Sequence, residues 1–183
     1  MSTAVSQPRS EPDLMPVIVM GVSGCGKSSV GERIAGALGC RFIEGDSLHP
    51  PANIEKMSAG IPLADEDRWP WLAIIGGVIA QSVARREMIV ISCSALKAAY
   101  RTRLRESAGG RLAFVFLEGS REVLETRMRA RTAHFMPASL LDSQFATLEP
   151  PTGESCVITV DVALPLEALT EKALSGLRHL SRG

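Results

Sequence analysis

A three-layer α/β fold, with a five-stranded parallel sheet between helices on both faces, is predicted by three features of the chain. Five short, almost wholly apolar runs recur along it, the pattern of strands covered on both sides. The segments between them repeat apolar residues at helical spacing. A glycine-rich loop ending in Lys-Ser joins the first run to the first helical segment.

Taken in order, Pro16 to Met20 is the first strand, and Val30, Ile34 and Leu38 mark one face of the helix that follows. Arg41 to Glu44 is the second strand. Asp65, Glu66 and Asp67 open a helix, where acids suit the positive end of the dipole. Met88 to Ser92 is the third strand and Leu96, Tyr100 and Leu104 the face of the next helix. Leu112 to Leu117 and Cys156 to Val160 complete the sheet; Leu166, Leu169, Ala173, Leu177 and Leu180 line the closing helix. Residues 1–15, rich in Ser, Pro and charge, lack the apolar core of a secretory signal and are expected to be a disordered tail. Residues 16–183 then form a single domain, and 183 residues suffice for one real core.

Composition narrows the function. Twenty Lys plus Arg balance twenty Asp plus Glu, so no global field exists to hold nucleic acid or an anionic membrane. The longest apolar run, Leu72 to Ala80, falls well short of the about 20 residues that span a bilayer. Four scattered cysteines form no C-x-x-C pair and read as reduced thiols of a cytoplasmic protein. Charge is nonetheless segregated, with six acids and one base from Glu44 to Asp67 and nine bases and four acids from Lys97 to Arg131. That division suits a site with a metal- or proton-handling half and a phosphate-handling half.

The loop Gly21-Val22-Ser23-Gly24-Cys25-Gly26-Lys27-Ser28, with Ser29 behind it, fits G-x-x-x-x-G-K-[ST] between a strand and a helix, the context the motif requires. Its backbone N–H groups and the helix N-terminus are suited to phosphate oxygens. Lys27 is expected to reach the β- and γ-phosphates of ATP, and the Ser28 hydroxyl to ligate Mg²⁺. Cys25 enters only through its backbone. No Asp ends the strand Met88 to Ser92, and no N-K-x-D tetrad occurs, which points away from GTPases and large ATPases and toward small kinases.

Beyond the loop stand Phe42-Ile43-Glu44-Gly45-Asp46-Ser47-Leu48-His49-Pro50, Asn53-Ile54-Glu55-Lys56-Met57 and Gly60-Ile61-Pro62-Leu63, then Asp65 to Leu72 and Cys93-Ser94-Ala95-Leu96-Lys97 with Tyr100-Arg101. His134-Phe135-Met136, Leu140-Leu141, Ser143-Gln144-Phe145 and Leu148-Glu149 follow. In these segments and their order the chain resembles the gluconokinase family. The resemblance implies a nucleoside-monophosphate-kinase-like P-loop fold, ATP with Mg²⁺ as donor, and phosphorylation of D-gluconate on its terminal hydroxyl. The family commonly has Ser at the position of Cys25. Its members are often dimers, so a homodimer is a partner to test for, although no residue pattern here marks an interface.

Within that frame Asp46, two residues past the second strand, is the candidate to orient the acceptor hydroxyl and take its proton, with a turn or cap role as the alternative. His49 is equally a substrate contact or a turn hydrogen-bonder. Arg68 offers a planar fork for the gluconate carboxylate, against a structural ion pair. Lys97, Arg101 and Arg105 form one basic stripe, of which Lys97 and Arg101 are expected to reach substrate and Arg105 to be solvated. Arg127 and Arg131 belong to a lid around 127–148 that brings arginine to the transferring phosphate, and His134 and Gln144 are assigned to the substrate. The catalytic set is thus Lys27, Asp46 and Arg131. A shikimate-type kinase is the alternative within the fold, and a nucleotide-binding regulator without transfer the alternative outside the class.

Overall fold

The computed structural model describes residues 15–130 and 138–181. Five strands, β1 (Val17–Met20), β2 (Arg41–Glu44), β3 (Ile89–Ser92), β4 (Ala113–Glu118) and β5 (Val157–Asp161), form one sheet in the order β2-β3-β1-β4-β5. All neighbours are parallel. Each strand lies within one residue of its predicted limits.

Alternation along the strands divides the core into two. Val17 and Val19 face α1 (Lys27–Leu38) and α7 (Leu166–Leu180), where Ile34, Leu169, Ala173 and Leu177 are buried. Ile18 and Met20 face α3 (Asp65–Arg85) and α4 (Ala98–Ser107), where Trp71, Leu72, Ile75, Tyr100 and Leu104 are enclosed with Phe114 and Phe116. The three-layer architecture follows directly. A 3₁₀ turn at Gly45–Leu48, α2 (Pro51–Ser58), α5 (Arg121–Ala130) and α6 (Ala138–Thr147) fill the loops. Among the described residues no helix is long and apolar enough to cross a membrane.

Two local readings change. Met15, assigned to the tail, is buried in the core on the α1 side; residues 1–14 lie outside the described residues. Leu96 precedes α4 instead of opening it, because Ala95 takes a φ of 43°, a left-handed backbone that no α-helix continues.

The topology sets the site. β1 is central, its chain crossing first to the far strand β2 and later to β4 on the opposite side. The crevice beyond the carboxyl ends of β1 and β3 is where such sheets accept ligands. There the Cys93 N–H donates to the Val19 carbonyl at 3.0 Å and the Gly21 N–H to the Ser94 carbonyl at 3.4 Å, tying together the loops that leave the two strands.

Candidate active site

The chain leaves β1 through Gly21, whose φ of 145° is open to glycine and whose missing Cβ would lie 2.9 Å from the Leu117 carbonyl oxygen. The loop then turns over the first turn of α1, with the Val30 N–H donating to the Gly26 carbonyl at 3.0 Å. Lys27 Nζ donates to the Val22 carbonyl at 3.2 Å across the loop. Cys25 is buried beneath it, and burial pushes its thiol up against the opposing pull of Lys27, so the side chain is a protonated filler.

Residues from distant elements close on this loop. The Ser23 N–H donates to Gln144 Oε1 at 2.7 Å, while Gln144 Nε2 donates to Ser23 Oγ at 3.0 Å, so α6 is joined to the loop by a two-bonded amide. On the other side the Ser28 hydroxyl donates to one oxygen of Glu44, and the Ser92 hydroxyl donates to the other. Glu44 was not singled out from the sequence. The acid beside the loop thus stands at the end of β2, and β3 contributes the hydroxyl of Ser92.

Next to Glu44 the backbone of Gly45 is pressed onto β3. A Cβ there would stand 1.9 Å from the Ser92 carbonyl oxygen, which excludes every other residue. Its N–H donates to Ser92 Oγ at 3.0 Å, and its carbonyl accepts from Trp71 Nε1 at 2.8 Å. These contacts fix where the following Asp46 emerges: its side chain, 69% exposed, projects into a cleft open to solvent. Ser23, Lys27, His49, Arg68, Ser94 and Gln144 line the same cleft. A second depression, between α3 and α4, is lined by Trp69, Ala99, Thr102, Arg103 and Glu106 and shares no residue with it.

Arg68 is 7% exposed. Its Nε donates to the Leu63 carbonyl at 3.4 Å and its guanidinium lies 5.9 Å from the Tyr100 ring centre. No carboxylate among the described residues pairs with it, although an arginine so enclosed ordinarily has one. His49 stacks on Trp71 at 4.0 Å and stands 3.9 Å from Asp46 Oδ1. Burial lowers its pKa despite the attraction of Asp46, so the ring is neutral at pH 7 and the two are not an ion pair.

The basic stripe is arranged differently from expectation. Lys97 Nζ bonds both oxygens of Asp65, at 2.8 and 2.9 Å, and Tyr100 donates its hydroxyl to the same carboxylate. Lys97 is therefore committed to α3 and does not line the cleft. Arg101 does not line the cleft either. Its side chain has no exposed surface; it donates to the carbonyls of Ala95 (2.9 Å) and Leu96 (3.1 Å) and grips Glu154 through Nε (3.0 Å) and Nη2 (2.5 Å). Arg105 is not solvated either: it pairs with Glu154 at 2.8 Å and covers the Phe114 ring. Arg127 donates to the Val162 carbonyl at the end of β5. Arg131 and His134 lie outside the described residues.

The chain resembles known proteins along nearly its whole length. Residues 17–151 match the family described as AAA domain. A probable gluconokinase of Schizosaccharomyces pombe is 42% identical over 180 residues, covering 95% of this chain and 93% of its own. A gluconokinase of Gluconobacter oxydans is 49% identical over 144 residues, 79% of this chain and 80% of its own. The crystal structure of a gluconokinase from Sinorhizobium meliloti superposes with a TM-score of 0.87 at 60% identity, covering 95% of this chain and 96% of the other.

Proposed function

This chain belongs to the gluconokinase family, and from that membership we propose that it is a kinase transferring the γ-phosphoryl group of ATP to the terminal hydroxyl of D-gluconate. The observation that carries the reading is a single cleft holding Lys27 and Ser23 of the phosphate loop together with Asp46 and the guanidinium of Arg68, which forms no ion pair among the described residues. A phosphate donor, a proton acceptor and a seat for an anionic acceptor are the parts the reaction needs.

The acceptor oxygen forms its bond to the γ-phosphorus while the bond to the β,γ-bridging oxygen breaks and its electron pair leaves with ADP. The hydroxyl proton passes to the Asp46 carboxylate, whose main contribution is orientation, because a loose transition state needs little base strength. Lys27 opposes the charge growing between the β- and γ-phosphates. Arg68 pairs the gluconate carboxylate at the other end of the open chain.

The residues at the loop exit fit Mg²⁺. Ser28 and Glu44 bring a hydroxyl and a carboxylate into contact there, hard oxygen donors of the kind Mg²⁺ accepts beside phosphate oxygens and water. Bound with ATP, the ion neutralises phosphate charge. No group of three metal-binding side chains occurs among the described residues, and a phosphate-borne Mg²⁺ needs only one or two.

We place a closing lid at 127–148, supported by the bonds between Gln144 and Ser23. Arg127 and Arg131 are its candidates for the transferring phosphate. A cytoplasmic location goes with this reading, and a homodimer is the assembly that sedimentation of the purified chain tests for. An ATP-consumption assay across gluconate, its stereoisomers, shikimate and nucleoside monophosphates tests the function. Gluconate should be strongly preferred; turnover of shikimate or a nucleotide in its place overturns the assignment.

A further inference from the structure

The geometry points to Asn53 as a positioning residue that locks His49 in the Nε2–H tautomer, so that His49 presents a hydrogen-bond donor to the acceptor end of the cleft and cannot compete with Asp46 for the substrate proton. Asn53 is on α2 and almost fully buried. Its Nδ2 lies 2.8 Å from the Asp67 main-chain carbonyl and 3.2 Å from His49 Nδ1.

The chemistry of these partners leaves one arrangement. A carbonyl oxygen only accepts, so the Asn53 atom facing Asp67 is the amide nitrogen and not its oxygen. That nitrogen carries two protons, and the second is directed to His49 Nδ1. The Nδ1 atom must then accept, which puts the proton of the neutral ring on Nε2. Two further contacts stop the ring from turning over. It is stacked on Trp71 with an interplanar angle of 16°, and Trp71 is itself anchored through its Nε1 bond to the Gly45 carbonyl. Nε2 consequently points toward Asp46, 3.9 Å from Oδ1. This gap is too long for a direct bond but suits a substrate oxygen held between the two. The charged groups acting on the ring are Asp46 and Arg68, and burial keeps it neutral, so its donor is present at pH 7 without a positive charge.

The inference rests on the gluconokinase reading for its kinetic arm only. In the first arm, the full-length chain labelled with ¹⁵N is examined without substrate at neutral pH by long-range proton–nitrogen correlation of its imidazoles. The chain has three histidines, and His49→Gln identifies the signal of interest. A protonated Nε2 and bare Nδ1 are expected; a protonated Nδ1, or an imidazolium, overturns the proposal whether or not the protein phosphorylates gluconate. In the second arm, Asn53→Asp supplies an acceptor that favours the opposite tautomer. It should lower kcat/KM for gluconate about tenfold or more with the KM for ATP unchanged, the effect of losing one donor to substrate. In a His49→Gln background, where the side-chain amide offers its donor without a tautomer to set, the same change should matter less than about twofold. Equal losses in both backgrounds would show that Asn53 acts by holding the Asp67 backbone and overturn the tautomer role. If Asn53→Asp does not fold, the wild-type spectrum decides alone.

Discussion

Arg68 and Arg101 are both enclosed arginines near the acceptor crevice, yet their surroundings assign them opposite roles. Arg101 meets a carboxylate and two carbonyls, whereas Arg68 meets one carbonyl and a ring. Arg68→Ala therefore removes a cation that lines the cleft and forms no ion pair among the described residues. A charge-assisted hydrogen bond is worth about 1.5 to 3 kcal/mol, so kcat/KM for gluconate should fall roughly 10- to 150-fold. Arg68→Lys should recover only part of this, because the ammonium lacks the planar fork. The KM for ATP should stay the same. Arg101→Ala instead strips the Ala95 carbonyl of its Arg101 donor and leaves Glu154 to Arg105 alone, while the Leu96 carbonyl keeps the Glu149 N–H at 2.8 Å. Breaking an enclosed pair costs about 3 kcal/mol at the lower end, the end that applies because Arg105 remains beside Glu154. For a chain of this size that is a fall of roughly 6 to 12 °C in Tm. Steady-state kinetics on gluconate and on a neutral polyol such as sorbitol, with calorimetry on the same samples, separates the two. Wild-type discrimination between gluconate and sorbitol in Arg68→Ala, or lost discrimination at unchanged Tm in Arg101→Ala, would refute these two roles.

Asp46→Asn should lower kcat much more than it raises the KM for gluconate, since the amide keeps the hydrogen bond but takes no proton; a pure KM effect in initial-rate measurements would leave Asp46 a binding group. Gly45→Ala should prevent normal folding or activity, because its Cβ meets a main-chain oxygen of β3 that cannot move aside; a soluble, fully active variant by circular dichroism and assay contradicts the packing. The hydrogen bond from Arg101, reinforced by Arg105, holds the Glu154 carboxyl below its usual value of 4.5. Its stabilisation is thus complete above about pH 4.5 and lost as pH falls through the folded-state value. In urea titrations the advantage of the wild type over Glu154→Gln should be constant near neutrality and shrink in acid; an advantage that does not shrink as pH falls below about 4.5 argues against the linkage. Protease nicking of 127–148 should decrease when gluconate and an MgATP analogue are added together, and equal nicking in the free protein counts against a closing lid.

The strands were legible because short apolar runs in a buried parallel sheet leave little freedom in their limits. The phosphate loop was legible because its chemistry needs fixed residues at fixed spacing. What escaped was pairing across distance. Arg101 and Arg105 do share a stripe on α4, with Lys97 in extended backbone just before it, but Arg101 lies next in sequence to Tyr100, on the side that α4 turns inward. Its partner Glu154 lies 53 residues further along the chain. Spacing within one helix gives a face and does not say what the face meets. Glu44 was overlooked for a related reason: an acid in a strand looks like a tolerated edge charge until Ser28 and Ser92 are seen to converge on it. Asn53 carried no signal of its own, since its role exists only once α2 brings it to His49.

The stacked pair of His49 and Trp71 gives the protein a built-in optical reporter. The chain has two tryptophans; Trp71 is sealed against the imidazole that borders the cleft, and Trp69 is 40% exposed at the surface. With Trp69 replaced by phenylalanine, all indole emission would originate from a ring in contact with a residue facing the acceptor. Any change in the imidazole's proton or in its distance from the indole would then register as a change in quantum yield or lifetime. Occupancy of the acceptor end could be followed in a stopped-flow instrument without a coupling enzyme or an attached dye.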